Sequence, residues 1–491
     1  MERIESLTER FPDTFRFGVA TSAYQIEGSP LADGRGASIW DTFATQPGAI
    51  ERGETAVEAC DHYRRRDDDV ALLGYLGVDS YRFSIAWPRV QPLGVGRANE
   101  AGLAFYDQLI DRLLDEGIVP FPTLYHWDLP QALQDVGGWA SRDTADRFAD
   151  YAALVVDRLG DRVAEWALFN EPYIFVSRGY LLGRYAPGHR NLPEFLRAVH
   201  NVTRAHALGY RAIKARRPEL AVGSVFALAP CEPATESAAD EGAAQFADAV
   251  FNHLFLDPLF TGAYPQRVLN TLPIEEMAIE SGDLASMQTP LDFIGINCYY
   301  RLVISAGDSM PDLPFIDFGL RHDARSTGGH ADLTDTPARI HSSFGRNEGV
   351  RTDMGWEVWP GALQSMLVRL HQLYPDVPLH VCESGCAILE RVDEHGQVVD
   401  PERTAYHRAH LHAVVAAIDA GANVQSYHAW SLYDNFEWAS GYRPRFGLVH
   451  VDFNTQQRTV KASGEWFRQV CLAARARRGS LAEALRPSPA P

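Results

Sequence analysis

One recurrence constrains this chain more than any other feature. Short runs rich in β-branched, aromatic and apolar residues return eight times, and segments with helical spacing fill the gaps. The runs cover 16–22, 80–87, 119–126, 165–170, 221–228, 292–299, 379–383 and 424–430. Several are apolar throughout, as parallel strands buried on both faces must be. Between them, 100–116 places Leu103, Tyr106, Leu109, Ile110 and Leu113 on one helical face, and 196–215 and 401–420 behave alike. Eight strand–helix alternations predict an α/β fold, a single (β/α)8 TIM barrel with long βα loops. An open doubly wound sheet alternates in the same way, but no GxGxxG or P-loop pattern follows the first run.

At 491 residues the chain has room for two or three average domains or for one large barrel. No linker, low-complexity block or internal repeat divides it. Residues 1–475 therefore read as one barrel and 476–491, rich in proline, as a disordered tail. The length beyond the ~250 residues of a minimal barrel must be loop. The largest excess lies between Tyr300 and Trp359, its centre at 307–348 rich in Gly, Asp, Ser, Pro and Thr. In a barrel that loop follows strand six, on the face that carries chemistry.

Chemistry in a barrel sits at the C-terminal strand ends, so those ends are read in order. Strand one runs into Gln25 and Glu27; strand two carries Arg82; strand three ends in His126, Trp127 and Asp128. Strand four ends in Asn170 and Glu171, strand six in Asn297 and Tyr299, strand seven in Glu383. Strand eight ends in Trp430, followed by Asp434, Asn435, Phe436, Glu437 and Trp438. Glu171 (Leu-Phe-Asn-Glu-Pro) and Glu383 (Val-Cys-Glu-Ser-Gly) share one context, an apolar run that stops at a turn-former. Packing explains such carboxylates poorly. Two of them facing one cleft are the working parts of a glycosidase, and a retaining mechanism needs them roughly 5–5.5 Å apart. The amides, carboxylates and indoles around them suit a neutral polyol.

The net charge of −19 disfavours nucleic acid and anionic membrane as partners. The six cysteines form no CxxC pair and do not read as a disulfide framework. Cys382 and Cys386 flank Glu383 and read as small apolar packing. The N-terminus has no apolar leader and no run is long enough to span a bilayer, so the expected location is cytoplasmic. The sequon Asn201-Val202-Thr203 lies in a helical stretch and reads as coincidence. His407, His410 and His412 resemble a metal motif, but they fall on an outer helix where residues two apart do not share a face. No metal and no cofactor are expected. Oligomeric state is left open, a homo-oligomer being allowed.

The segments Phe11-Pro12 to Phe17-Gly18, Ala20-Thr21-Ser22-Ala23-Tyr24-Gln25-Ile26-Glu27-Gly28 and Tyr81-Arg82-Phe83-Ser84-Ile85-Ala86-Trp87-Pro88-Arg89 resemble glycoside hydrolase family 1, the β-glucosidase family. So do Tyr125-His126-Trp127-Asp128-Leu129-Pro130, Asn170-Glu171-Pro172, Met354-Gly355-Trp356-Glu357 and the stretch from Trp430 to Trp438. The likeness runs in the family's order from about Phe11 to Lys461.

The resemblance implies Glu171 as general acid/base and Glu383 as nucleophile, with Arg82 and Tyr299 holding Glu383 ionised. It implies substrate contacts from Gln25, His126, Trp127, Asn170, Asn297, Tyr299, Glu437, Trp438 and Phe446, with Trp430 as platform. The implied activity is retaining, exo-acting hydrolysis of terminal β-D-glucosyl residues from cello-oligosaccharides and from aryl and alkyl β-glucosides, extending to β-galactosides and β-fucosides. A transglycosidase or a non-catalytic sugar-binding member would share the site. Phosphoglycosidases of the family differ after strand eight, where this chain has Glu437-Trp438 and then Pro444-Arg445-Phe446. Three positions depart from the family pattern: Leu168, Cys298 and Ser384, where Thr, Tyr and Asn are usual.

Overall fold

The computed structural model describes residues 3–306, 316–317, 340–346, 349–479 and 481. Eight strands close into a parallel barrel: β1 (Arg16–Ala20), β2 (Ser80–Ser84), β3 (Val119–Tyr125), β4 (Glu165–Asn170), β5 (Ala221–Ala227), β6 (Phe293–Asn297), β7 (Leu379–Ser384) and β8 (Val424–Trp430). Each pairs with its sequence neighbour, and β8 closes on β1 through Gly18↔His428 and Ala20↔Trp430. The eight expected runs are these strands: five are trimmed by up to three residues where the chain turns out of the ladder, two match, and β7 gains Ser384.

Helices pack outside. They are α1 (His62–Leu76), α2 (Glu100–Asp115), α3 (Asp143–Leu159), α4 (Leu192–Arg216), α5 (Ala238–Asp248), α6 (Gly361–Leu373), α7 (Pro401–Asp419) and α8 (Ala462–Arg478). On α2 the five residues expected on one face are all buried. Helix α4 begins where Asn191 caps the Glu194 N–H at 3.1 Å. Asn201 lies buried on α4 and donates to the Trp139 carbonyl at 3.0 Å, so the sequon is internal packing.

The barrel interior is stacked in layers. At its N-terminal end Arg16 reaches across to Glu165 at 2.6 Å, beside His380, which meets Ser426 at 2.8 Å. Phe121, Ala167, Val225, Phe293 and Cys382 form an apolar plug above them. Strand-end polar groups lie above the plug.

Helix α8 runs to Arg478, so 476–478 of the expected tail are helical. Arg478 pairs with buried Asp79 at the start of β2 and donates to the Phe15 carbonyl at 2.6 Å. Most of the remaining tail lies outside the described residues, as does most of the loop centre at 307–348. The described ends of that loop include a strand, Leu302–Ala306, which pairs with Ile340–Ser343 and with Cys231–Pro233. No described helix is long and apolar enough to cross a membrane.

Candidate active site

Strand alternation alone would not aim the two glutamates inward together. Ala167 and Cys382 both face the apolar plug, so strict alternation would turn Asn170 and Glu383 outward. The ladder slips in both places, between Ala167 and Asn170 on β4 and between Val381 and Glu383 on β7. Such irregularities re-aim a side chain. Glu171 follows β4 with φ 50° and ψ 62°, a left-handed conformation, and its N–H is held by the Val225 carbonyl at 2.8 Å.

Buried Arg82 organises what lies between. One guanidinium nitrogen donates to Glu383 Oε1 at 2.6 Å and the other to Asn170 Oδ1 at 2.8 Å. Tyr299 donates its hydroxyl to Glu383 Oε2 at 2.8 Å. Asn297 Nδ2 donates to Glu171 Oε1 at 2.8 Å and to Asn170 Oδ1 at 3.0 Å. With its oxygen accepting twice, Asn170 must donate through Nδ2 to His126 Nε2 at 3.0 Å. The His126 proton therefore sits on Nδ1, a buried donor with no protein partner among the described residues. Burial and the Arg82 charge push His126 well below its usual pKa, so the ring is neutral.

The two carboxyls sit in opposed fields. Burial, and then the Glu383 charge, push Glu171 up to about 8. Burial raises Glu383 too, but the Arg82 guanidinium and the Tyr299 hydroxyl oppose it. One proton shared by the pair therefore rests on Glu171.

Beside this pair, Gln25 Nε2 donates to Asn435 Oδ1 and the Phe436 carbonyl, each at 3.0 Å, and faces Glu437 Oε2 at 3.4 Å. Burial and the charges of Glu383 and Glu171 push Glu437 up to about 8, against hydrogen bonds from Gln25 and Trp430. The His126 ring lies 6.1 Å from Trp430 and 5.9 Å from Trp438, and Trp127 lies 4.5 Å from Trp438. Trp127 donates its indole N–H to the Asn170 carbonyl at 2.9 Å. Phe446 packs with Trp430 and lies 6.4 Å from the Tyr299 ring. The candidate residues Gln25, Arg82, His126, Trp127, Asn170, Glu171, Asn297, Tyr299, Glu383, Trp430, Glu437, Trp438 and Phe446 are thus joined in one network.

Two other strand-end acids, Glu27 and Asp434, are committed elsewhere. Glu27 pairs with Arg89 at 2.8 Å and accepts from Tyr106 at 2.6 Å. Asp434 accepts from Lys461 at 2.7 Å and from the Gly447 N–H at 3.0 Å. The grouping Glu390, Asp434 and His450 has metal-ligand chemistry, but Lys461 Nζ already bonds both of its carboxylates. His407 meets Tyr427 at 2.9 Å and His410 meets the Tyr406 carbonyl at 2.8 Å, both in the helical layer. The three departures face that layer too. Leu168 lies under Gly209 of α4, Ser384 meets Tyr406 of α7 at 3.4 Å, and Cys298 is in the outer core.

Several participants carry weaker sequence signals. Ser22 fixes Gln25 by donating to its Oε1 at 2.6 Å. Trp40 (4.6 Å) and Tyr24 (5.9 Å, parallel) support Trp438 from behind. Trp356 packs on Tyr299 at 5.3 Å; its only signal is the Met354–Glu357 motif, since it sits on no strand.

Residues 7–475 match the family model for glycosyl hydrolase family 1. The chain is 41% identical to β-glucosidase A of Thermotoga maritima over 463 residues, 94% of this chain and 98% of that one. It is 41% identical to the bifunctional β-D-glucosidase/β-D-fucosidase of Bifidobacterium breve over 476 residues, again 94% and 98% of the two chains. The crystal structure of a psychrophilic β-glucosidase from Micrococcus antarcticus superposes with a TM-score of 0.89 at 40% identity, covering 96% of this chain and all of that one. By a match spanning nearly its whole length, this chain belongs to glycosyl hydrolase family 1.

Proposed function

We propose that this enzyme is a retaining, exo-acting β-glucosidase. One observation carries the reading: of two buried carboxyls at the C-terminal strand ends, Glu383 is bonded to a guanidinium and a phenol, while Glu171 is bonded, among the described residues, only to the Asn297 amide. Environments that push two pKa values apart assign the nucleophile and the acid. Glu383 attacks the anomeric carbon as Glu171 protonates the departing oxygen. Glu171, now ionised, takes a proton from water, and that water releases the sugar from Glu383 with net retention.

Glycone hydroxyls have a ring of partners. His126 offers its Nδ1 proton; Gln25, Asn170, Asn297 and Glu437 offer amides and a carboxyl; Trp127 and Trp438 wall the site; Trp430 lies under the ring; Phe446 closes the side. Terminal β-glucosyl residues of cello-oligosaccharides and of aryl and alkyl β-glucosides are the proposed substrates. β-Fucosides are included, in keeping with the name of the Bifidobacterium relative, and β-galactosides with them. A cytoplasmic location is supported by six cysteines that all stand as free thiols, and the net charge of −19 speaks against nucleic acid as a partner.

A panel of p-nitrophenyl β-glycosides followed by proton NMR tests the reading. Glucoside turnover with β-glucose as first product is expected; an α-product, or no turnover of any β-glycoside in the panel, overturns it.

A further inference from the structure

Tyr299 bonds Glu383 from a stretch that has already left the barrel. Strand β6 ends at Asn297, and between the Cys298 N–H, on the Glu383 carbonyl at 3.3 Å, and the Leu302 N–H, on the Pro230 carbonyl at 2.8 Å, side chains take over the anchoring. The anchor is Arg301. Its Nε and one terminal nitrogen grip the two oxygens of Glu357 at 2.7 and 3.1 Å, and its other nitrogen reaches Glu232 at 3.1 Å. The guanidinium face lies 4.1 Å from the Trp359 ring centre. A two-pronged, stacked pair of this kind fixes orientation in a way that a lysine cannot.

Glu357 is buried and clips a second segment as well. It receives the Arg346 N–H at 3.3 Å, and its own N–H bonds the Phe344 carbonyl at 3.1 Å. A Cβ on Gly345, whose φ is +96°, would stand 2.3 Å from the Glu357 side chain, so glycine is required for the approach. Arg346 also reaches Glu232, at 3.2 Å. Next to Glu357 is Trp356, whose ring lies 5.3 Å from Tyr299 and 5.2 Å from Tyr300. The ion pair therefore joins the residue two after Tyr299 to the residue one after the indole that packs on it.

We propose that Arg301 and Glu357 are positioning residues: their pair locks Trp356 against Tyr299 and so holds the Tyr299 hydroxyl on Glu383. The proposal rests on the reading of Glu383 as nucleophile. Loosening the clip removes a donor that favours the ionised carboxylate, and Glu383 then titrates higher. The charged and titratable groups facing Glu383 are Arg82 from β2, Glu171 beyond β4, Tyr299 beyond β6, Glu437 beyond β8 and, through Asn170, neutral His126 beyond β3. Of these the clip touches Tyr299 alone.

The test compares wild type with Arg301→Lys, Glu357→Gln, Tyr299→Phe and the double variant Tyr299→Phe/Arg301→Lys. Three quantities are read: Tm, the acid limb of kcat/KM on p-nitrophenyl β-glucoside, and the Glu383 titration by 13C NMR of δ-13C-glutamate-labelled protein. Each single variant should move the acid limb and the NMR titration upward by about one pH unit. The double variant should move them no further than Tyr299→Phe alone, because both changes remove one contact. A fall in Tm with the acid limb and titration in place, or additive shifts, overturns the proposal. Glu357→Gln keeps the shape of the clip should Arg301→Lys fold poorly. A wild type inactive on β-glucosides would overturn the functional reading, and the NMR titration would still decide the clip.

Discussion

The Arg82 guanidinium lies 2.6 Å from Glu383 Oε1, and both side chains are almost wholly buried. A lone buried carboxylate in this position would take up a proton. Arg82 also fixes Asn170, so one cation both holds the negative charge and orients the neighbouring amide. Arg82→Met should cut kcat/KM by about 100-fold or more and move its acid limb upward. A variant within threefold of wild type, with its acid limb unmoved, would remove Arg82 from this role.

The pH profile follows from the opposed fields. As the proposed acid, Glu171 must be protonated to assist departure of the aglycone, and burial with the Glu383 charge pushes it up to about 8. Activity is thus expected to fall as pH rises through about 8. As the proposed nucleophile, Glu383 must be ionised; its pKa is raised by burial and restrained by Arg82, so activity is also expected to fall on the acid side, above the usual glutamate range. In Glu171→Gln, with 2,4-dinitrophenyl β-glucoside, the basic limb should vanish. A basic limb that persists there would assign it to another group.

Azide separates the roles of the two glutamates. Glu383→Gly should abolish turnover, with azide restoring it as the α-glycosyl azide. Glu171→Ala should still form the glycosyl-enzyme from substrates with good leaving groups, and azide should then give the β-glycosyl azide. Obtaining the same anomer from both variants would reverse or void the assignment.

The strand tips are legible in the sequence because parallel strands announce themselves as apolar runs, and a polar residue that ends such a run stands out. Asn170, Glu171 and Glu383 are visible for that reason. Their inward aim is not, since period-two reading from Ala167 or Cys382 points Asn170 and Glu383 outward, and only the register slips correct it. Leu168, Cys298 and Ser384 show the converse. Each lies within two residues of a site residue, yet each faces the helices. Trp356 and Trp40 reach the site from connecting segments, where no periodicity marks a facing side. The start of the tail is also hidden, because Arg475 and Arg478 look like surface charge until Asp79 is placed beneath them.

That pairing makes the end of α8 a structural element. Asp79 is buried, with the Phe17 N–H at 2.9 Å and both arginines as partners. Arg478→Ala leaves the carboxylate undercompensated and should destabilise by about 3 kcal/mol, read as a lower urea midpoint. A chain ending at residue 479 should keep the full-length Tm, whereas one ending at 474 should not. Equal Tm values for both truncations would show that the arginines contribute nothing.

The proposed substrate is not phosphorylated, and the surroundings of Glu437 give the reason. A phosphate dianion at the sugar 6-position needs cations and donors. The nearest arginines in sequence are committed elsewhere: Arg443 grips Glu51 at 2.9 Å, and Arg445 bonds Asp434 at 3.3 Å and the Val451 carbonyl at 2.9 Å. Among the described residues Glu437 itself is held by Gln25 and Trp430, not by a cation. Protonated, it supplies no positive charge; ionised, it repels the phosphate. Free hydroxyls suit it in either state, since a carboxyl can accept from them and, when neutral, donate to them. p-Nitrophenyl β-glucoside should therefore exceed its 6-phosphate in kcat/KM by about 100-fold or more, the scale of one like-charge contact. Glu437→Gln should lower kcat/KM on the glucoside while leaving Tm within a few degrees. A preference for the phosphorylated compound would refute this assignment, and an unchanged kcat/KM in Glu437→Gln would take Glu437 out of substrate binding.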